Sequence, residues 1–122
     1  MNIAPSPTAA DANPAAHLEL LRLLEQHPDY SQRQLAVALG MSLGKTHYLL
    51  KALLDKGWVK AKNFQRSDNK LGYLYVLTPQ GVRQRMQLTR SFLARKEREY
   101  EMLNSQIVLL RQELAAQAEV QP

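Results

Sequence analysis

SQRQLAVALGMSLGKTHYLLKALLDKGWV, residues 31–59, holds two short helical patterns separated by a glycine turn. Ser31 and Gln34 stand at capping-box spacing, where each side chain can satisfy a backbone group at a helix start. Leu35, Ala36 and Leu39 form the inner stripe of that helix, and small Ala36 lets a second helix cross closely. Gly40 suits the left-handed backbone of a tight turn, which Met41 then plugs. Ser42 caps the next helix, which is expected to run to about Lys56 and stop at Gly57. Within it Thr46, Leu49, Leu50 and Leu53 recur at three- and four-residue spacing and should face inward. Two helices joined in this way form a helix-turn-helix, whose second helix is presented outward and can enter a DNA major groove.

Working outward, the period changes at Trp58. Residues 58–65 (WVKAKNFQ) and 71–77 (LGYLYVL) read as strands, with the polar turn segment RSDNK between them. That hairpin is a wing with Arg66 and Lys70 at its tip. Thr78-Pro79 starts a last helix, with the threonine as cap and proline at the first helical position. No proline or glycine follows Gly81 until Pro122, so the span is either one helix of about 40 residues or two with a bend. Leu93, Tyr100, Ile107 and Leu114 share one heptad position, and Leu103 and Leu110 share another. Thr89, Lys96 and Gln117 weaken that second series, leaving a short coiled coil or a helix packed on a partner.

Upstream, Ala15 to His27 fits a helix with Leu18, Leu21, Leu23 and Leu24 inward. Asn13 is the expected cap, Pro14 the first helical residue and Pro28 the stop. The fold expected is mainly α with a small β-hairpin: a winged helix-turn-helix followed by a long C-terminal dimerisation helix. Its divisions are a disordered tail (1–14), the winged helix-turn-helix (15–78), the long helix (79–118) and a short disordered tail (119–122).

The chain has 122 residues and a net charge of +5, a weak pointer to a polyanionic partner. The distribution says more. Residues 31–78 hold eight basic side chains (Arg33, Lys45, Lys51, Lys56, Lys60, Lys62, Arg66, Lys70) against Asp55 and Asp68, a net of +6. Residues 1–30 carry a net −3 and residues 79–122 a net +2. There is no cysteine, which excludes disulfides, thiol nucleophiles and thiolate metal sites. The N-terminus lacks the basic and apolar regions of a signal peptide, and no apolar run approaches the roughly 20 residues that span a bilayer. A cytoplasmic protein with no membrane association is expected.

SQRQLAVALGMSLGKTHYLLKALLDKGWV, the basic wing and LYVLTPQG together resemble the MarR family of winged-helix transcription regulators. SLGKTHYLLKALLDKGWVKAKNF, followed by NKLGYLYVLTPQG and a charged helix, is most similar to the exopolysaccharide-associated subgroup. The resemblance covers about residues 16 to 113. It implies a homodimeric DNA-binding regulator on a pseudo-palindromic operator. MarR proteins usually dimerise through helices from both chain ends, and many bind small aromatic ligands near that interface. Here the N-terminal part is short, so the long C-terminal helix is expected to carry the dimer through Leu93, Tyr100, Leu103, Ile107, Leu110 and Leu114. Nothing in these residues assigns a small-molecule effector.

The outward residues of the recognition helix are Leu43, Gly44, Lys45, His47, Tyr48 and Lys51. Lys45 can donate to guanine O6 or N7, His47 to a base or phosphate, and Leu43 can meet a thymine methyl. Gly44 permits close approach, and Tyr48 and Lys51 reach toward phosphates. Ser42 and the first amides of that helix can hold a phosphate. Ser31, Gln32 and Arg33 open the helix that crosses the backbone, with Arg33 as a phosphate clamp. Arg66 can enter a minor groove, supported by Lys62, Asn63 and Lys70. Plainer readings compete: Leu43 and Tyr48 as packing residues, Lys56 and Lys60 as solvated charges, Trp58 as core, Tyr73 and Tyr75 as wing packing. Arg95 and Glu99 are expected to pair across one helix turn.

Gly44-Lys45-Thr46 mimics the end of a phosphate-binding loop, but Leu39 occupies the position of the first glycine and the context is helix-turn-helix. His17, His27 and His47 lack metal-ligand spacing, and no catalytic serine or acid pair is recognisable. No enzyme activity, metal or cofactor is expected. The expected partner is double-stranded DNA. The alternative is a winged-helix protein–protein interaction module without specific DNA binding, which should present an apolar or acidic face where this chain is basic.

Overall fold

The computed structural model describes residues 13–65 and 71–120. In order, the elements are α1 (Pro14–Gln26), α2 (Gln32–Leu39), α3 (Leu43–Asp55), β1 (Val59–Gln65), β2 (Leu71–Leu77) and α4 (Pro79–Val120). This is the winged helix-turn-helix with a two-stranded hairpin and a long C-terminal helix that the sequence calls for. The tail over residues 1–12, the wing tip over 66–70 with Arg66 and Lys70, and residues 121–122 lie outside the described residues, while Glu119 and Val120, expected in a disordered tail, continue α4.

Local chemistry sets the element ends. Asn13 accepts from the Ala15 amide at 2.9 Å and Pro14 opens α1. At α2 the capping box is complete: Ser31 Oγ accepts from the Gln34 amide at 3.1 Å, and Gln34 Oε1 accepts from the Ser31 amide at 2.8 Å. The α2 and α3 helices end in the same left-handed device. Gly40 at φ 66° lets the Met41 amide reach the Ala36 carbonyl at 3.0 Å, and Gly57 at φ 76° lets the Trp58 amide reach the Leu53 carbonyl at 3.1 Å. Ser42 caps α3 by accepting from the Lys45 amide at 3.1 Å.

The chain divides between Thr89 and Arg90 into two compact units. In the first, the core is built from Leu20, Leu21 and Leu24 of α1, Leu35 of α2, Leu49, Leu50 and Leu53 of α3, and Val59 and Tyr75 of the hairpin. Each fully buried leucine contributes about 1.5–3 kcal/mol by leaving water. Leu20 is fully buried although the expected α1 stripe omitted it, and Leu23 is only half-buried. The reason is that α1 is covered from several sides, by α2, α3 and β2, so its buried arc is wider than one stripe. Buried His17 meets Trp58 edge-on at 6.0 Å between ring centroids.

β1 and β2 pair antiparallel, with Val59 opposite Leu77, Ala61 opposite Tyr75 and Asn63 opposite Tyr73. The Tyr75 amide donates to the Pro28 carbonyl at 3.2 Å and so fastens the hairpin to the loop before α2. Trp58 precedes the strand rather than opening it. It is half-buried against the core, with Lys56 Nζ 4.8 Å from its ring centroid, so Lys56 is a cation–π partner and not merely a solvated charge.

Residues 79–89 of α4 belong to this first unit. Thr78 Oγ1 accepts from the Gly81 amide at 3.0 Å and donates to the Gly57 carbonyl at 2.6 Å, while the Thr78 amide donates to the Trp58 carbonyl at 2.9 Å. Gly81 is buried there, and a Cβ at this residue would lie 1.9 Å from the Trp58 carbonyl oxygen. Arg85 Nε makes an ion pair with Glu25 at 3.1 Å.

In the second unit, residues 90–120 of α4 are helical without interruption. Lys96, not Arg95, pairs with Glu99, at 3.3 Å, and both Arg95 and Lys96 lie over the Phe92 ring. The expected i,i+4 pair gives way because the ring offers Arg95 a face one turn back. No described helix is long and apolar enough to cross a membrane.

Candidate nucleic-acid interface

α3 has two chemically distinct sides. Thr46, Leu49, Leu50 and Leu53 are buried, while Leu43, Gly44, Lys45, His47, Tyr48 and Lys51 are exposed. This split follows from placing four inward residues at helical spacing. Thr46 avoids a buried orphan hydroxyl by donating to the Ser42 carbonyl at 2.9 Å. Leu43 is 47% exposed and Tyr48 52%, so neither is consumed by packing within the unit. Tyr48 lies edge-on to His47, with centroids 6.4 Å apart. Gly44 has nothing within 4 Å of where a Cβ would stand, so its smallness is not demanded by this chain's own packing.

The opening of α2 faces the same region. Ser31 and Ser42 both use Oγ as acceptor for a backbone amide, which leaves each hydroxyl proton available to an anion. Arg33 is exposed. Gln32 behaves differently. Its carboxamide spans between elements, with Oε1 3.1 Å from His47 Nδ1 on α3 and Nε2 donating to the Tyr75 hydroxyl on β2 at 3.4 Å.

On the wing, strand alternation sends Lys62 and Asn63 to opposite faces. Asn63 shares the face of Val59, Ala61 and Tyr75, whereas Lys62 shares that of Lys60 and Phe64. A ligand approaching one face of the hairpin therefore meets one of the two directly. Tyr73 is 60% exposed and stacks 6.4 Å from Tyr75, which is buried; only Tyr75 is core. Between the start of α2 and the hairpin lies a cleft of about 670 Å³, with Tyr30, Gln32, Phe64 and Tyr73 among its walls.

Two features escaped the residue-by-residue reading. The Gln32 bridge joins residues 15 and 43 positions apart, beyond any local pattern. Gly81 entered the sequence reading only as the last glycine before Pro122, whereas the structure sets it against the Trp58 backbone.

Residues 15–60 match a family model described as winged helix-turn-helix DNA-binding. No curated protein matches the sequence. Among solved structures the chain is similar to a MarR family transcriptional regulator from Silicibacter pomeroyi, at 20% identity and a TM-score of 0.59, covering 91% of this chain and 76% of that one. It is also similar to Staphylococcus aureus MarR in complex with salicylate and kanamycin, at 12% identity and a TM-score of 0.55, covering 86% and 73%. A third is a MarR/EmrR family transcriptional regulator from Acinetobacter sp. ADP1, at 18% identity and a TM-score of 0.52, covering 95% and 85%. The likeness establishes a MarR-like fold.

Proposed function

We propose that this chain is a MarR-type transcription regulator that binds double-stranded DNA in a sequence-specific way, as a homodimer on a pseudo-palindromic operator. The observation that carries the reading is the solvent face of α3, where Lys45, His47 and Lys51 stand exposed opposite four buried residues. In this reading Lys45, His47 and Leu43 meet base edges, and Gly44 permits their approach. Tyr48, Lys51, Arg33 and the hydroxyls of Ser31 and Ser42 take phosphates. Lys62, Asn63, Arg66 and Lys70 work from the wing. The net +6 of residues 31–78 favours this over a protein–protein module.

The dimer is assigned to α4. Leu93, Tyr100, Leu103, Ile107, Leu110 and Leu114 are exposed along its heptad stripe in the single chain, an apolar face that water covers poorly. Control of exopolysaccharide genes is the target that the subgroup resemblance adds. The Staphylococcus aureus relative's complex with salicylate and kanamycin makes an effector a fair question for this chain, with no residue assigned to it.

The test is selection of bound duplexes from a random DNA library by purified protein, sequenced at two salt concentrations. A palindromic motif whose recovery falls with salt supports the regulator. Salt-sensitive binding with no enriched motif rejects sequence reading, and no binding even at low salt rejects the DNA role.

A further inference from the structure

We propose that Gln32 is a positioning residue that fixes the hydrogen-bonding character of His47, so that the imidazole reads the exocyclic amino group of adenine or cytosine. The inference rests on the DNA-binding reading above and names the base edge that this part of the interface selects.

The argument starts from the carboxamide. Gln32 Oε1 lies 3.1 Å from His47 Nδ1, and a carboxamide oxygen can only accept. With the carboxamide in this orientation, Nδ1 is the donor and carries a ring proton. The other end of the carboxamide is held as well: Nε2 donates to the Tyr75 hydroxyl at 3.4 Å. Tyr75 is a fixed point, since it is 9% exposed within the core and its amide donates to the Pro28 carbonyl. Turning the amide over would aim an N–H at Nδ1, which only the neutral Nε2–H ring could accept. The orientation seen serves both states of the ring, because Nδ1–H is a donor in each.

With Nδ1 committed inward, Nε2 is the ring nitrogen left for a ligand, and His47 is exposed on the solvent face of α3. In the neutral ring that nitrogen is an acceptor. In the major groove the complementary donors are adenine N6 and cytosine N4; guanine and thymine offer acceptors there. An unconstrained histidine can present either character. The bridge removes that ambiguity before DNA arrives, so no rotameric or tautomeric search is charged to binding. It also explains why a residue at the start of the backbone-crossing helix turns its side chain toward α3 and β2.

The experiment reads the ring directly and then the DNA. Nitrogen-15 NMR of the His47 ring is recorded on the full chain without DNA across a pH series, and the tautomer is read from the spectra of the neutral ring. Wild type should show the Nδ1–H form. Gln32→Ala should move it toward Nε2–H, and Gln32→Glu, whose carboxylate accepts, should restore Nδ1–H. In library selection, His47→Ala and Gln32→Ala should both lose an adenine or cytosine preference at the same base, by about tenfold, and Gln32→Glu should keep it. An Nε2–H ring in wild type, or a ring unmoved by Gln32→Ala, overturns the assignment of Gln32 whatever the DNA result. An Nδ1–H ring in a protein that enriches no motif overturns the DNA reading and the base preference with it.

Discussion

Replacing Gly81 by alanine tests whether the start of α4 is fixed where the structure has it. The added Cβ would stand 1.9 Å from the Trp58 carbonyl oxygen and 2.8 Å from its carbon, where real Cβ contacts stay beyond 3.0 Å. The obstacle is backbone, so no side chain can swing aside. The first turn of α4 must retreat, and the bonds at risk are the Thr78 amide on Trp58 and the Thr78 hydroxyl on Gly57. Each is worth about 0.5–1.5 kcal/mol, and overpacking of this kind costs about 1–3 kcal/mol. Alanine returns up to about 1 kcal/mol through its better helix propensity. A net loss of about 2 kcal/mol is expected. Urea unfolding followed by the fluorescence of Trp58, the chain's one tryptophan, measures it at fixed protein concentration. A midpoint equal to or above wild type refutes the packing argument, because propensity alone would then have decided the outcome.

Gly44→Ala is the complementary change. With nothing within 4 Å, it should leave the unfolding midpoint unchanged or slightly raised, yet weaken DNA binding if α3 approaches the groove closely; unchanged affinity in a gel-shift titration removes Gly44 from the interface. Lys45→Ala should cost roughly 1–3 kcal/mol at one base position and relax selection there, whereas an unaltered selected motif removes Lys45 from base reading. Leu103→Arg with Ile107→Arg places two charges on the exposed stripe of α4 and should yield monomer in sedimentation equilibrium; a persistent dimer assigns the interface elsewhere.

The helix-turn-helix was legible because its signals are local. Ser31 with Gln34, Gly40, Ser42 and Gly57 each act within a few residues of themselves, and the inward set of α3 repeats at helical spacing. The hairpin was legible from its composition and the polar sequence RSDNK between its strands. What stayed hidden depends on long-range geometry. Leu20 is buried because several elements cover α1, and the sequence of α1 does not carry their placement. The division at Thr89 is hidden for a related reason. The helical pattern continues across it unbroken, while packing against α1 through Arg85 and Glu25 ends with the first turns. In the candidate interface the exposed face of α3 was readable, but the bridge from Gln32 to His47 and Tyr75 was not, since its partners lie on three different elements.

The caps of α2 and α3 are serines, and neither helix has an acidic residue in its first turn. Aspartate caps as well as serine and would also answer the positive end of the helix dipole, adding about 0.3–1 kcal/mol. Leaving that stabilisation unused keeps the electrostatic potential at both helix starts positive. For a surface that meets a polyanion, the neutral caps set folding and binding in opposition at one position. Ser42→Asp should therefore produce a protein at least as resistant to urea as wild type and weaker on every DNA sequence alike, a separation of durability from affinity that a change in packing cannot imitate.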